Sequence, residues 1–403
     1  MPSVDATLRH AGRLVVATAC LLLLALPRHA DAQEAPLSDV LSFLLTNRGV
    51  QTGDFERDVA AARATGDTMG RLLLVELSTQ PVSAASPGFV YKLNPALGTP
   101  ERASASFGPF FTERSLTTGM GRLTLGASFT GRHYTTLDGR DLDDGTFVTS
   151  GNQFRDEATP FDVETLSLTL ESQTLTTSAT YGVHDRVDIG VVVPFVTIDL
   201  RGQRTNTYRG TPVVQATADA NASGIGDIAV RGKVRWLGER GSGIASIAEV
   251  QLPTGREEDL LGAGKASTLL AMVVSGESGA IAAHGTVGAT LGGLSPGFQY
   301  RGAVTANVAR QVTLVGELVG RTVDEAGGVV LTRVPHPTIV GVDTLRLLPD
   351  GDSTHTAQAV VGAKWNITRT WLLGAHMVLP LTDDGLKPAR AFLIGLEYSL
   401  AGR

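Results

Sequence analysis

Two spacings of apolar residues divide the chain. Over residues 36–78 the spacing is helical. In PLSDVLSFLLTNR, Leu37, Val40, Leu41, Leu44 and Leu45 share one face. DFERDVAAARA continues with good helix formers, and GRLLLVELS follows. From about residue 87 the period becomes two. In RLTLGASFTGRHY, Leu123, Leu125, Ala127 and Phe129 alternate with Arg122, Thr124, Ser128 and Arg132. Val187, Ile189, Val191, Val193 and Phe195 enclose Asp188. DIAVRGKVRW sets Ile228, Val230, Val234 and Trp236 against Asp227, Arg231, Lys233 and Arg235. Ala248, Val250 and Leu252 oppose Glu249 and Gln251, and Phe298, Tyr300, Val304 and Val308 oppose Gln299, Arg301, Thr305 and Asn307. Leu314 and Leu318 stand against Glu317 and Arg321, and Ala359, Val361, Ala363 and Trp365 against Lys364 and Asn366. The last segment, FLIGLEYSL, puts Phe392, Ile394, Leu396, Tyr398 and Leu400 opposite Glu397 and Ser399.

Alternation alone also suits a soluble sandwich. The connections separate the two. Short ones at 182–186, 238–242, 276–279, 309–311 and 366–370 interleave with mostly longer ones at 135–164, 203–224, 254–266 and 324–353, and two briefer ones near 293–297 and 381–388. Such sorting predicts an all-β transmembrane antiparallel β-barrel, with tight periplasmic turns and longer outer loops. Thirteen strands are counted back from the C-terminus to residues 103–113. Bacterial barrels normally have an even number. Adding GFVYKL (88–93) gives 14 strands, with 12 as the alternative. The expected organisation is a signal peptide (1–32), an N-terminal helical plug or periplasmic lead (33–86) and the barrel (87–403). Gly395, Tyr398 and Leu400 resemble the C-terminal signal read by the barrel assembly machinery, although the trailing Ala-Gly-Arg departs from its aromatic end.

The N-terminus carries Arg9, His10 and Arg13, an apolar run Leu14–Leu26 and Ala30-Asp31-Ala32, the parts of a secretory signal. That run is about 13 residues, short of the roughly 20 that span a bilayer. The single cysteine, Cys20, lies inside it, which leaves the expected mature chain without disulfides, a thiol nucleophile or a cysteine metal site. Charged residues make up 18%, below the roughly 25% of soluble domains. A net charge of −6 argues against a nucleic-acid partner.

GIGDIAVRGKVRW (224–236), VQLPTGREEDLLGAG (250–264) and YGVHDRVDIGVVVPF (181–195) resemble the outer-membrane β-barrel family named for the meta-pathway of phenol degradation. The resemblance implies fold, a location in the cell outer membrane with lipid around the barrel, and kinship to long-chain fatty-acid and aromatic-hydrocarbon transporters. It thereby implies small hydrophobic or aromatic solutes as cargo.

Charge within the barrel is the candidate chemistry. Arg122, Arg132, Glu171, Asp188, Arg231, Lys233, Arg235, Glu249, Arg301, Glu317, Arg321, Lys364 and Glu397 are expected to face the lumen, with His284 and His376. An Arg or Lys facing lipid at the midplane would cost about 2–4 kcal/mol. The set reads either as a lined conduit or as an ion-pair lattice bracing a non-conducting barrel that meets surface partners through its loops. An outer-rim hydrolase is the third reading. Asp143-Asp144 and His184-Asp185 are its residue types, but the topology puts them at opposite ends of the barrel, and proton transfer needs hydrogen-bond distance. No catalytic residue, cofactor or metal is expected: the histidines lack ligand spacing, and the carboxylates of EEDLLGAG read as a solvated loop rather than a calcium site. Pro194, which removes a ladder donor, marks a possible bend in its strand.

Overall fold

The computed structural model describes residues 35–46, 55–78, 88, 91–94, 99–102 and 104–400, apart from 239–240, 325–326 and 369. The signal peptide expected over 1–32 and the terminal Ala-Gly-Arg lie outside these residues. Two helices come first, α1 (Leu37–Leu45) and α2 (Phe55–Ser78). On α1, Leu37, Leu41, Leu44 and Leu45 are all buried, as the spacing predicts. Glu56 and Asp58 stand in the first turn of α2, where the helix dipole favours acidic groups. A separate two-stranded sheet follows, β1 (Tyr91–Asn94) with β2 (Thr99–Arg102).

Twelve strands then close the barrel. They are β3 (Leu123–Leu137), β6 (Asp162–His184), β7 (Val187–Tyr208), β9 (Ile228–Leu237), β10 (Gly243–Leu252), β11 (Ser267–Ser278), β12 (Ile281–Gly292), β13 (Gly297–Ala309), β14 (Val312–Val323), β17 (Thr354–Asn366), β18 (Trp371–Pro380) and β19 (Leu386–Leu400). The closing seam joins the last strand to the first, from Leu400↔Leu123 to Leu386↔Leu137. Five further strands stand outside the ring. They are β4 (Arg140–Asp141), β5 (Phe147–Phe154), β8 (Thr211–Ile225), β15 (Val329–Pro335) and β16 (Val342–Pro349). All five form within the stretches read from the sequence as long loops, and β5 pairs with β16 to tie two of those loops together. Short turns lie at the other end of the wall.

The expected count of fourteen is corrected to twelve. The described residues of the segments 88–93 and 103–113 are not barrel strands: Tyr91–Asn94 belongs to the separate sheet, and Ser104–Thr118 runs through the lumen. FGPFFTER looks extended, but its amides bond to inward-pointing side chains instead of a neighbouring strand.

Inside and outside follow from parity. Val230, Trp236, Phe298, Val304, Val308 and Phe392 are exposed on the exterior, while Arg231, Lys233 and Arg235 are buried within. On β6 the parity of Glu171 is reversed from expectation. Leu166, Leu168 and Leu170 point inward and Glu171 points outward, half exposed beside His133. The cause is local. The loop-side half of the lumen holds α1 and α2, so the inner face there is apolar, and Leu166, Leu168, Leu170, Ile198 and Leu200 pack in one core with Leu37, Leu41, Leu44 and Leu72. Leu168→Asp would remove part of this core and bury a charge. It should destabilise the barrel by at least the about 2–5 kcal/mol of a large core truncation. Thr169→Asp, one residue along and outward beside Arg201, should leave the heat-induced mobility shift on electrophoresis little changed. Equal effects would overturn the assignment of faces.

Candidate conduit in the barrel lumen

The lumen is built in three levels. At the turn side, residues 104–118 cross it and are held by strand side chains. Ala105 N donates to Glu277 (2.7 Å) and Phe107 N to Thr313 Oγ1 (3.2 Å). Glu317 accepts three consecutive amides, from Phe110 (2.6 Å), Phe111 (3.0 Å) and Thr112 (2.7 Å). Ser115 N donates to Ser275 Oγ, which also contacts His284 Nδ1 at 3.0 Å. Thr118 N donates to Asp188 at 2.8 Å. Phe110 lies against the His376 ring, 4.7 Å between centroids, near the Lys364–Glu397 ion pair (2.9 Å). Arg114 is fully buried and folds over Gly108, whose φ of +72° and 2.5 Å clearance from the Arg114 Nε leave no room for a side chain.

The middle level is ionic. Glu76, near the end of α2, bridges Arg132 of β3 (3.3 Å) and Arg321 of β14 (2.5 Å), strands four apart round the ring. Glu113 meets Arg231 (3.5 Å) and Lys233 (3.1 Å), and Glu249 meets Arg231 at 2.9 Å. Arg301 donates to the Phe111 carbonyl (3.0 Å) and to Gln299 Oε1 (2.6 Å).

At the loop side the helices are pinned. The Arg204 guanidinium donates to the carbonyls of Phe43, Leu44 and Thr46 at the end of α1, where backbone acceptors lack helical partners. Glu164 lies 3.0 Å from Arg204, on the part of β6 that extends past its last pairing with β3. Burial raises the Glu164 carboxyl to about 7, against the lowering effect of Arg204. Arg346 pairs with Asp58 (2.7 Å), and Thr65 donates to the Leu347 carbonyl (3.0 Å), fixing α2 to β16.

Two motifs singled out in the sequence meet in space. Asp227 of GIGD accepts Gly255 N (3.0 Å) and Ala263 N (2.7 Å) from the LPTG loop. Thr254 Oγ1 donates to the Gly226 carbonyl at 2.8 Å. A Cβ at Gly262 would collide with the Asp227 carboxylate and sit 2.6 Å from the Gly255 Cα, so only glycine permits this approach. The loop delivers Leu260 and Leu261 into the helical core. Opposite it, Pro194 stands in the gap between the β7–β9 ladder, which stops at Val192, and the β7–β8 ladder, which starts at Phe195.

Two cavities, of about 110 and about 60 Å³, flank α2 and the luminal segment and share Glu249 and Gln251 in their walls. Of the residues expected in the lumen, Arg132, Asp188, Arg231, Lys233, Glu249, His284, Arg301, Glu317, Arg321, Lys364, His376 and Glu397 are drawn into the levels above. Arg235 bonds the Ser242 carbonyl at the turn side, Arg122 is half-buried beside Gly119, and Glu171 is outside. Sequence reasoning missed Glu76, Glu113 and Glu277, and placed Asp227 on the polar face without giving it a role. Their signal was a carboxylate in an otherwise apolar or small-residue stretch. The acidic and His–Asp pairs do not meet. Asp185 bonds Met120 N at a short turn. Asp143 lies beside Ser167 near the far end of β6, and 17 residues at about 3.3 Å each put them on the order of 50 Å apart. Asp144 bonds the Thr146 amide and hydroxyl, which hold its carboxyl below the usual range. No group of three or more His, Cys, Asp or Glu among the described residues is placed to hold a metal.

Residues 144–329 match the family described as "Putative MetA-pathway of phenol degradation". The resemblance drawn from the sequence holds, over a span containing all three motifs. No curated protein matches in sequence. Similar solved structures include the COG4313 outer membrane channel from Pseudomonas putida F1, at 13% identity over 71% of this chain and 98% of that one, TM-score 0.45. The autotransporter AIDA-I transport unit from Escherichia coli follows at 11%, 69%, 90% and 0.35. The toluene transporter TodX from P. putida stands at 9%, 69%, 89% and 0.27. The closed antiparallel wall, its apolar exterior and the family match locate the protein in the cell outer membrane.

Glu317→Gln tests the turn-side level. A carboxylate receiving several amides is worth about 1.5–3 kcal/mol per charged bond, so exchange at Phe110, Phe111 and Thr112 should speed by roughly 10- to 100-fold. Unchanged protection there, measured by hydrogen exchange, would show that the segment is held by packing alone.

Proposed function

We propose that this protein is a passive outer-membrane channel for small hydrophobic or aromatic solutes, gated by its own N-terminal plug. The observation that carries the reading is the lumen. A closed barrel holds helices and an extended segment from its own chain, yet retains a cavity on either side of them. In this reading the loop side faces outward from the cell and the short turns face the periplasm. Exterior residues Phe298 to Val308 on β13 span ten steps of about 3.3 Å. Tilted as barrel strands are, they cover about 25 Å, the height of a lipid band. Tyr181, Trp236, Trp365, Trp371 and Tyr398 cluster near the turn ends and form the periplasmic aromatic girdle. The assembly machinery would receive β19, the last strand. Residues 33–86 act as the plug, with α2 its movable element. α2 is bound to the wall by separable pairs (Asp58–Arg346, Thr65–Leu347, Glu76–Arg132/Arg321), which can release without unfolding the sheet. The filled middle level favours a second reading, a barrel that conducts nothing.

A cysteine pair at Thr65 and Leu347, in a Cys20→Ala background, bridged by a cleavable bifunctional thiol reagent, separates the two. Liposomes carrying the unbridged protein should swell in apolar and aromatic solutes more than in sugars. Bridging should slow swelling to the rate of empty liposomes, and cleavage should restore it. No swelling for any solute would leave the non-conducting barrel; swelling indifferent to the bridge would overturn the plug as gate.

A further inference from the structure

We infer that the larger lumen cavity is a binding site for a small amphipathic anion, a monocarboxylate or similar acid with a body no larger than one ring or a short alkyl chain. As a statement about cargo it rests on the channel reading; as a binding site it is measured without it. The cavity of about 110 Å³ lies between the foot of α2 and the β10–β14 wall. One side is apolar, with Ile247, Leu269, Leu294 and Val323 facing Val75. The other is polar, with Arg231, Arg301 and Arg321 beside Gln251, Gln299 and the carboxylates of Glu113 and Glu249.

Charge decides the ligand. Arg231 is neutralised by Glu113 and Glu249, and Arg321 by Glu76, which Arg132 shares. Arg301 is different. Among the described residues it has no carboxylate within 4.0 Å; a carbonyl and an amide oxygen take its terminal nitrogens, and its buried Nε has no acceptor. Its side chain is half-buried and its parity inward, so its remaining exposure opens onto the lumen. A guanidinium in a water-poor site is compensated best by an anionic oxygen pair, whose planar geometry it matches. Glu249, Glu113 and Glu317 act on Arg301 only at longer range, so a neutral apolar ligand would add no contact partner to it, and a cation would meet three guanidinium groups against two carboxylates already paired with Arg231. Size follows from volume: an apolar cavity of roughly 150 Å³ takes up benzene, so this space suits one ring at most. Entry is from the loop side, where the β12–β13 connection is short and its rim is Gly292 and Gly293, both at positive φ (73° and 72°).

The test is calorimetric titration of the full-length protein in detergent with benzoate and hexanoate, against benzyl alcohol, hexanol and benzylamine. The acids should bind about tenfold or more tightly than the matching alcohols, the scale of one charge-assisted pair, and benzylamine should not bind. Arg301→Gln should weaken the acids by that factor and leave the alcohols unchanged, with Arg301→Lys intermediate. Val323→Trp, which fills the cavity from its apolar side, should abolish binding of acids and alcohols alike while the heat-induced mobility shift persists. Alcohols binding as well as acids, or acids binding Arg301→Gln undiminished, would overturn the inference. Swelling in neutral solutes without acid binding would sink this site and leave the channel standing. Acid binding without swelling would do the reverse.

Discussion

A backbone that passes through the inside of a closed barrel has no strand beside it, and its N–H groups must still be bonded. That constraint organises this molecule. Ser104–Thr118 meets it by borrowing acceptors from the wall: Ser275 and Glu277 on β11, Thr313 and Glu317 on β14 and Asp188 on β7 point inward from three parts of the ring. Glu317, bonded to three successive amides, is the strongest of these holds and fixes the path at which Phe110 and Phe111 turn toward β17–β19.

The inward charges therefore have unlike duties. Asp188, Glu277 and Glu317 serve backbone. Glu76, Glu113 and Glu249 serve guanidinium and ammonium groups, with two cations shared on each of the first two. Bracing and lining are done by the same residues. Much of the lattice runs through Glu76 of α2 and Glu113 of the luminal segment rather than through the wall, so displacing either element would expose bare cations to whatever replaces it.

Much of the fold was legible because lipid and lumen contrast so sharply in polarity. β9 shows this best: Val230 and Trp236 outside, Arg231, Lys233 and Arg235 inside, as the alternation reads. The same rule misplaced Glu171, because period two reports that the faces differ and not which neighbour each face meets. Once α1 and α2 fill the upper lumen, the leucines of β6 belong inside. Residues 103–113 failed for a related reason. Extended backbone has one local signature whether its bonds go to a strand or to side chains 200 positions away. Asp227 and the LPTG loop looked merely structural in sequence; their contact, across 28 positions, shows that each motif is the other's binding partner.

The seam between β3 and β19 has a consequence for the order of assembly. β3 follows directly on Gly119 and Gly121, which bond Arg122 and Gly182 at the foot of the wall, so the luminal segment is tethered to the first strand of the ring. The ring closes only when the last strand arrives. A sheet that curls up with its first edge already carrying this segment wraps around it, whereas a sheet that closed first would have to admit fifteen residues through a mouth lined with unmatched charge. The interior can thus act as a template on which the wall is rolled, and a residue that faces the lumen can govern the yield of closed barrels as well as their stability once closed.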